Sequence, residues 1–412
     1  MVKKEYDWQH GAVLSPHSRQ KHKILADYFF QYLKTRWKHP QAKKFRIAVV
    51  DGFAGGGLYN CGSQGSPLIF ISTLINALRE ENIRRSSEGF PILNVEAKLY
   101  LNDTDPWAYA QLQENCNPLL AGIKDEFDNL RVEVSYLNEA FEEIVENISR
   151  DIQNSSFTNV LFNLDQCGHS LVDVTSLSRL LNTSKSVEIF YTFAIQTFFT
   201  FLSDNPDKNC VQFGDMDIVA KINELTAGNR RRSEWLGATE RFVFDYFKAM
   251  APYVSPFTIN NPEGWYYWLL HFAKSYRARQ VYNDVLHANS SYQAHFGKSG
   301  LEMLAYSPEE RPLELYLFDS TGRSKAKNEL HHDIPAFLSD VNAGLTIEQL
   351  YSGIYNQTPA HSEDIDSVLI ENSDVEVLTQ NGRPRRAVSG IKLNDKVQIR
   401  AQRSFYLPAA KG

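Results

Sequence analysis

The stretch Ile47-Ala-Val-Val-Asp-Gly-Phe-Ala-Gly-Gly-Gly-Leu-Tyr59 restricts the possible folds more than any other part of the chain. An apolar run ends in an acid, Asp51, and breaks at once into Gly55-Gly56-Gly57. Such a run suits a fully buried parallel strand. Glycines directly after it let the backbone turn tightly and approach a ligand, because no Cβ intervenes. In open α/β sheets, nucleotide-like ligands lie beyond the carboxyl ends of the strands. The spacing is neither the dinucleotide Gly-x-Gly-x-x-Gly nor a phosphate loop, since no Gly-Lys-Ser/Thr follows. A glycine-rich strand-to-helix turn without a ligand is the other reading of the same residues.

At 412 residues the chain exceeds a usual single core, so two domains are expected. With 43% hydrophobic and 22% charged residues it reads as a globular protein, neither disordered nor fibrous. The net charge of −6 excludes a uniformly basic nucleic-acid coat, so any such binding must be local. Cys61, Cys116, Cys167 and Cys210 are far apart and suggest neither a zinc site nor a disulfide framework. That suits a reducing, cytoplasmic setting. The start lacks the apolar core of a signal peptide. The run Val187 to Leu202 is too short and too polar to span a bilayer.

Apolar residues Ile24, Leu25, Tyr28, Phe29, Tyr32 and Leu33 recur at helical spacing, predicting an amphipathic N-terminal helix within 19–38. Strands are expected at 45–50, 97–101, 132–136, 160–164 and 187–193. Ser66-Pro67 opens a helix through Leu78, with Arg79 to Gly89 charged and exposed beyond it. Strands alternating with helical patterns read as βαβ units and a parallel sheet. Two later strands, 255–259 and 265–274, flank Asn260-Asn-Pro-Glu-Gly264 and predict a hairpin. Positions 204–250 read as a helical insertion containing Arg230-Arg231-Arg232. Beyond Gly300, short helices at 347–354 and 362–370 precede strands at 375–378 and 396–401, an order resembling a winged helix. Domains are therefore expected at 1–300 and 301–412.

Asp51-x-Phe53-x-Gly55-x-Gly57 resembles the first motif of S-adenosylmethionine (SAM) methyltransferases. On that resemblance Asp51, Phe53, Gly55 and Gly57 lie beside the methionine end of the cofactor. Asp103, with Asp105 as its alternative, would accept from the ribose hydroxyls. Asn138 or Glu139 would lie near the adenine. Asp165 ends the fourth strand, where these enzymes place their acceptor-facing motif. Amine methylases carry Asp/Asn-Pro-Pro-Tyr/Phe there, whereas this chain has Asp165-Gln166-Cys167-Gly168. Cys167 is either a thiolate nucleophile toward a pyrimidine or an inert buried hydrophobe. His169 is either a general base or a helix cap.

Near the C-terminus, Arg383, Arg385, Arg386, Lys392, Lys396, Arg400 and Arg403 stand against Asp395 alone. Lys and Arg contacts to phosphate supply most nonspecific nucleic-acid affinity, so this segment is a candidate wing for DNA or RNA. A charged edge hairpin that discourages strand pairing is the alternative. The preceding helix is acidic, with Glu363, Asp364, Asp366 and Glu371, which counts against its entering a major groove. His331-His332-Asp333 has no evident third ligand, so no metal site is expected.

Taken together, several segments resemble the three-Cys-motif partner proteins (TcmP), a bacterial and phage-associated family. They are Lys21-His22-Lys-Ile-Leu25 with Tyr28, Asp51-Gly-Phe-Ala-Gly55 with Gly57 and Tyr59, Gly65-Ser-Pro67, Asp165 with Gly168, and Tyr267-Trp-Leu-Leu-His-Phe-Ala273. The likeness spans most of residues 15–290. Many members carry Asp-Pro-Phe/Tyr-Gly where this chain has Asp165-Gln-Cys-Gly168. The resemblance implies a Rossmann-like class I methyltransferase fold, a mostly parallel sheet ending in an antiparallel hairpin, with a helical insertion and a C-terminal winged-helix-like module. It also implies SAM as cofactor and a protein partner with a three-cysteine, radical-SAM-like motif. The expected activity is methyl transfer to nucleic acid or to something bound on it. A non-catalytic scaffold for that partner, or a DNA-repair or phage-defence accessory, is the rival expectation.

Overall fold

A computed structural model of the chain describes residues 6–166, 174–194, 244–245, 247–260, 266–290, 293–296, 298–303, 315–341 and 344–401. Cys167, His169, Arg230, Arg231, Arg232, Arg403 and nearly all of the expected insertion at 204–250 lie outside the described residues. The chain divides into two compact units. The first is Met1–Gly297 with Tyr306–Phe318, and the second is Lys298–Ala305 with Asp319–Gly412. The return of residues 306–318 to the first unit departs from the expected cut at 300, because Leu315–Tyr316 pairs with Gln293–Phe296.

In the first unit, helix α1 (Pro16–Arg36) precedes a repeating series: β1 (Lys44–Asp51), α2 (Ser66–Glu88), β2 (Asn94–Asn102), α3 (Pro106–Glu126), β3 (Leu130–Leu137), α4 (Phe141–Asn154), β4 (Asn159–Leu164), α5 (Val174–Leu181) and β5 (Ser186–Phe193). Strands β6 (Tyr253–Asn260) and β7 (Tyr266–Ala273), helix α6 (Tyr276–Ala288), β8 (Gln293–Phe296) and β9 (Leu315–Tyr316) complete it. The strands form one sheet of order β3-β2-β1-β4-β5-β7-β6-β8-β9. β1 to β5 pair in parallel, and β7 runs antiparallel between β5 and β6. The result is a mostly parallel α/β sheet compatible with a Rossmann-like fold. Strand order reverses beside β1, which has β2 on one side and β4 on the other, so the switch point lies at the carboxyl ends of β1 and β4.

Local chemistry explains the elements. Ser15 caps α1 by accepting from Ser18 N–H, and Pro16 occupies the first turn. The periodic face Ile24, Leu25, Tyr28, Phe29, Tyr32 and Leu33 is buried. α2 runs ten residues beyond the expected Leu78, through Glu88. The charged tail expected to be exposed there is partly internal: Glu81 and Arg85 are each 1% exposed and pair at 2.6 Å one turn apart. The Arg85 guanidinium also donates to the carbonyls of Trp37, His39, Pro40, Ala42 and Pro91. A buried charge survives only when so fully satisfied. No described helix is long and apolar enough to cross a membrane.

The second unit contains α7 (Ser320–Val341), β10 (Leu345–Thr346), α8 (Ile347–Ile354), α9 (Ser362–Glu371), β11 (Val375–Leu378) and β12 (Lys396–Ile399). Its three strands form an antiparallel sheet of order β10-β12-β11. α8 starts with a full capping box between Thr346 and Gln349. α7, unread in the sequence, carries His331-His332-Asp333; Asp333 accepts from Leu301 N–H at 2.9 Å. The acids of α9 are engaged inside the unit: Arg323 grips Asp364 and Glu363, Lys327 holds Glu371, and Tyr351 donates to Asp366.

Candidate functional site

The glycine turn after β1 is suspended between the neighbouring strands. Gly52 N–H donates to the Asn163 carbonyl at 3.1 Å, and Ala54 N–H donates to the Asn102 carbonyl at 2.8 Å. The Asn102 side chain donates to the carbonyls of Gly52 and Glu139. Gly55 and Gly57 have φ of 62° and 80°, the left-handed region that favours glycine. Gly55 N–H donates to Asp103 Oδ2 at 2.8 Å, and Asp105 N–H donates to Asp103 Oδ1 at 2.9 Å. Asp103 therefore ties the turn to the end of β2.

Asp105, the alternative sugar ligand, instead caps α3, accepting from the N–H groups of Trp107 and Ala108. Asn138 is exposed and donates to the Asp103 carbonyl at 2.7 Å. Phe53 is half-buried against Phe141. The ends of β1, β2 and β3 thus bring Phe53, Asp103 and Asn138 onto one shelf.

The glycine turn is not bare. Trp8 lies on it: a Cβ at Gly55 would come within 2.4 Å of the indole Cζ2, and one at Gly56 within 2.6 Å of Cε3. Trp8 packs with Ala12, Leu14, Tyr59, Ala108 and Tyr6, and Gln111 holds its carbonyl at 2.6 Å. The close approach that these glycines permit is used by the chain's own tryptophan. At Gly57 a Cβ would meet only ordinary contacts, the nearest at 3.4 Å.

Asp51, expected beside the cofactor, is wholly buried. Asn163 donates to its Oδ1 at 3.0 Å, while Oδ2 has no partner within hydrogen-bond geometry. Burial pushes its carboxyl up to about 7, against the opposing pull of Ser66 and Asn163. Asp51 knits β1 to β4 at the switch point and reaches a ligand only through its neighbours.

Asp165 is partly exposed and forms an ion pair with Lys21 of α1. Burial alone would raise its pKa, but the Lys21 ammonium and the Thr192 hydroxyl hold it below the usual carboxylate range. A small hollow of about 10 Å³ is lined by Lys21, His22, Asn163, Asp165, Phe190 and Thr192, among others. Burial lowers His22 to about 4, so it is neutral at pH 7, and its Nδ1 has no partner. Gln166, next in sequence, donates to Tyr191 Oη at 2.7 Å.

Two carboxylates of one sheet edge are thus pushed apart in proton affinity, a pattern that separates acid from base roles in active sites. Among the described residues no group of His, Cys, Asp and Glu is arranged to hold a metal ion. Lys21, His22, Asn163, Thr192 and Trp8 were not singled out as site residues. The available signal for two of them was a lysine and a histidine on the apolar stripe of α1, one turn before Leu25.

In the second unit, the segment between β11 and β12 folds back through Gly382, whose φ is 73°. Arg385 is clamped to buried Asp395 through two bonds of 2.8 and 3.0 Å, so it organises the segment and is not a free cation. Arg383, Arg386 and Lys392 are exposed. Comparison with models of known protein families returns no match, and comparison with curated proteins returns none.

Proposed function

We propose that the first unit binds SAM on the shelf formed by β1, β2 and β3, and that the protein transfers a methyl group to nucleic acid. One observation carries this reading: a glycine turn and Asp103 meet beside the order reversal of a sheet that ends in an antiparallel hairpin, the usual ending of class I methyltransferases. The residues fit the nucleoside on the Asp103 side of the turn and not on the Trp8 side. Asp103 accepts from the Gly55 and Asp105 amides, which fixes an acidic group beside the turn, where a sugar hydroxyl would be received. Phe53, Gly57 and Asn138 would complete the hold. Bound SAM supplies an electrophilic methyl on sulfonium. Asp165, ionised beside Lys21, would accept a hydrogen bond from the incoming nucleophile and align it, so that positioning dominates the rate. The winged-helix-like order of the second unit, helix-strand-helix-helix-strand-wing-strand, supports nucleic acid as the acceptor class.

The test is isothermal titration of the purified chain with SAM, beside an Asp103→Ala variant whose fold is checked by circular dichroism. Loss of hydrogen bonds from a charged acceptor predicts roughly hundredfold weaker binding in the variant. Absence of binding by the unaltered chain removes the cofactor from the proposal. A second reading, a non-catalytic scaffold for a three-cysteine-motif partner, draws on Trp8 filling the bed over Gly55 and Gly56. Copurification with such a partner, without SAM binding, would favour it.

A further inference from the structure

We infer that the groove formed by the segment connecting β11 to β12 is a phosphodiester-backbone site, which grips nucleic acid without reading its sequence. This rests on the nucleic-acid half of the reading above and is independent of its cofactor half. The groove has a volume of about 710 Å³ and lies wholly within the second unit. Arg383, Arg386 and Lys392 line it, together with the neutral donors Gln380, Asn381 and Asn394.

Three features favour phosphates over other occupants. First, the one carboxylate in the lining, Asp395, is 1% exposed and closed off by Arg385 and by Lys392 N–H. The groove therefore presents uncompensated positive charge in a protein of net charge −6. Second, none of the side chains of Arg383, Arg386 and Lys392 takes part in an ion pair among the described residues, whereas Arg323 and Lys327 of α7 are paired with acids of α9. Third, the lining offers amide and guanidinium donors, and its apolar side chains are only the small Pro384 and Ala387. Guanidinium groups match the paired oxygens of a phosphate. α9 carries acids and neither Lys nor Arg, so it brings no cations to a major groove. Contacts confined to the backbone position a duplex and carry no sequence information.

The experiment is fluorescence polarisation of the full chain with a labelled mixed-sequence DNA duplex and with single-stranded DNA and RNA, at several salt concentrations. The comparison is Arg383→Gln/Arg386→Gln/Lys392→Gln, three exposed positions whose replacement leaves the buried Arg385–Asp395 pair intact. Three lost phosphate contacts should make the slope of log K against log salt shallower by about 2.7 for a duplex, or about 2.1 for a single strand. For the duplex, that is roughly fortyfold less affinity lost between about 50 and about 200 mM salt. No binding by the unaltered chain, or an unchanged slope in the triple variant, overturns the assignment. So does an equal change in Lys23→Gln/Lys38→Gln/Lys43→Gln, which removes exposed cations of the first unit. Polyglutamate bound as tightly as the duplex, and lost in the triple variant, would instead make this an acidic-peptide groove.

Discussion

Two covers lie over the carboxyl edge of the same sheet, both built from residues that precede β1, and their chemistry differs. The strap around Trp8 lays an indole and an apolar cluster on the glycine turn. The first turns of α1 lay an ammonium and an imidazole over the end of β4. The apolar cover gains stability simply by excluding water, so a ligand on that face would have to displace it. The charged cover has value only while its partner carboxylate remains ionised. One edge thus holds a region closed by packing and another closed by charge.

Removing the larger cover should give the largest effect. Trp8→Ala deletes a side chain that is 5% exposed and leaves a void over Gly55 and Gly56. Truncations of this size cost about 3–5 kcal/mol, to be read by urea unfolding. A cost below about 1 kcal/mol would mean that the strap lies loosely, and the contrast between the two covers would disappear. SAM titration of the same variant asks whether the indole competes for the bed: tighter binding than in the unaltered chain is the expected sign of competition.

The charged cover is tested by Asp165→Ala, which removes the carboxylate partner of the Lys21 ammonium in a nearly closed setting, its side chain 10% exposed. Breaking a buried pair by removing one partner costs about 3 kcal/mol or more. Lys21→Met combined with Asp165→Leu should recover most of that loss, since replacing both partners by apolar groups is often neutral. If the double variant is as unstable as the single one, packing and not the charge pair holds α1 against β4.

The sequence reveals these regions unevenly. β1 was legible because Ile47 to Val50 is uninterrupted apolar chain and Gly55 to Gly57 can be little but a turn. The hairpin of β6 and β7 was legible from Asn260-Asn-Pro-Glu-Gly264. The extension of α2 was not, because Glu81 and Arg85 look like a solvated pair until Arg85 is seen collecting carbonyls from the loop after α1. Asp103 was placed correctly at a strand end, yet two of the chain's own amides are among its partners. Lys21 and Asp165 are separated by 144 positions, and no local pattern joins residues so distant. Arg385 read as a free cation because the register that sets it against Asp395 comes from the β11–β12 pairing.

The finest discrimination is between two aspartates that end adjacent parallel strands. Asp165 has Lys21 and stays ionised, whereas Asp51 has only neutral donors such as Ser66 and Asn163 and no cation, and burial raises its pKa to about 7. A carboxyl whose folded pKa lies above its unfolded value binds its proton more tightly in the native state. Its favourable contribution is complete below about pH 4 and is lost as pH rises through about 7. Asp51→Asn removes that loss while keeping an amide able to meet Asn163. His22, lowered to about 4 by burial, acts in the opposite sense, so the informative quantity is the stability difference between variant and unaltered chain, in which His22 cancels. That difference should grow in favour of Asp51→Asn by about 2 kcal/mol between about pH 5.5 and about pH 8.5, followed by urea unfolding. A difference independent of pH would show Asp51 ionised like its neighbour. Asp51 and Asp165 would then repel as two like charges across β1 and β4, and the separation of their proton affinities would be gone.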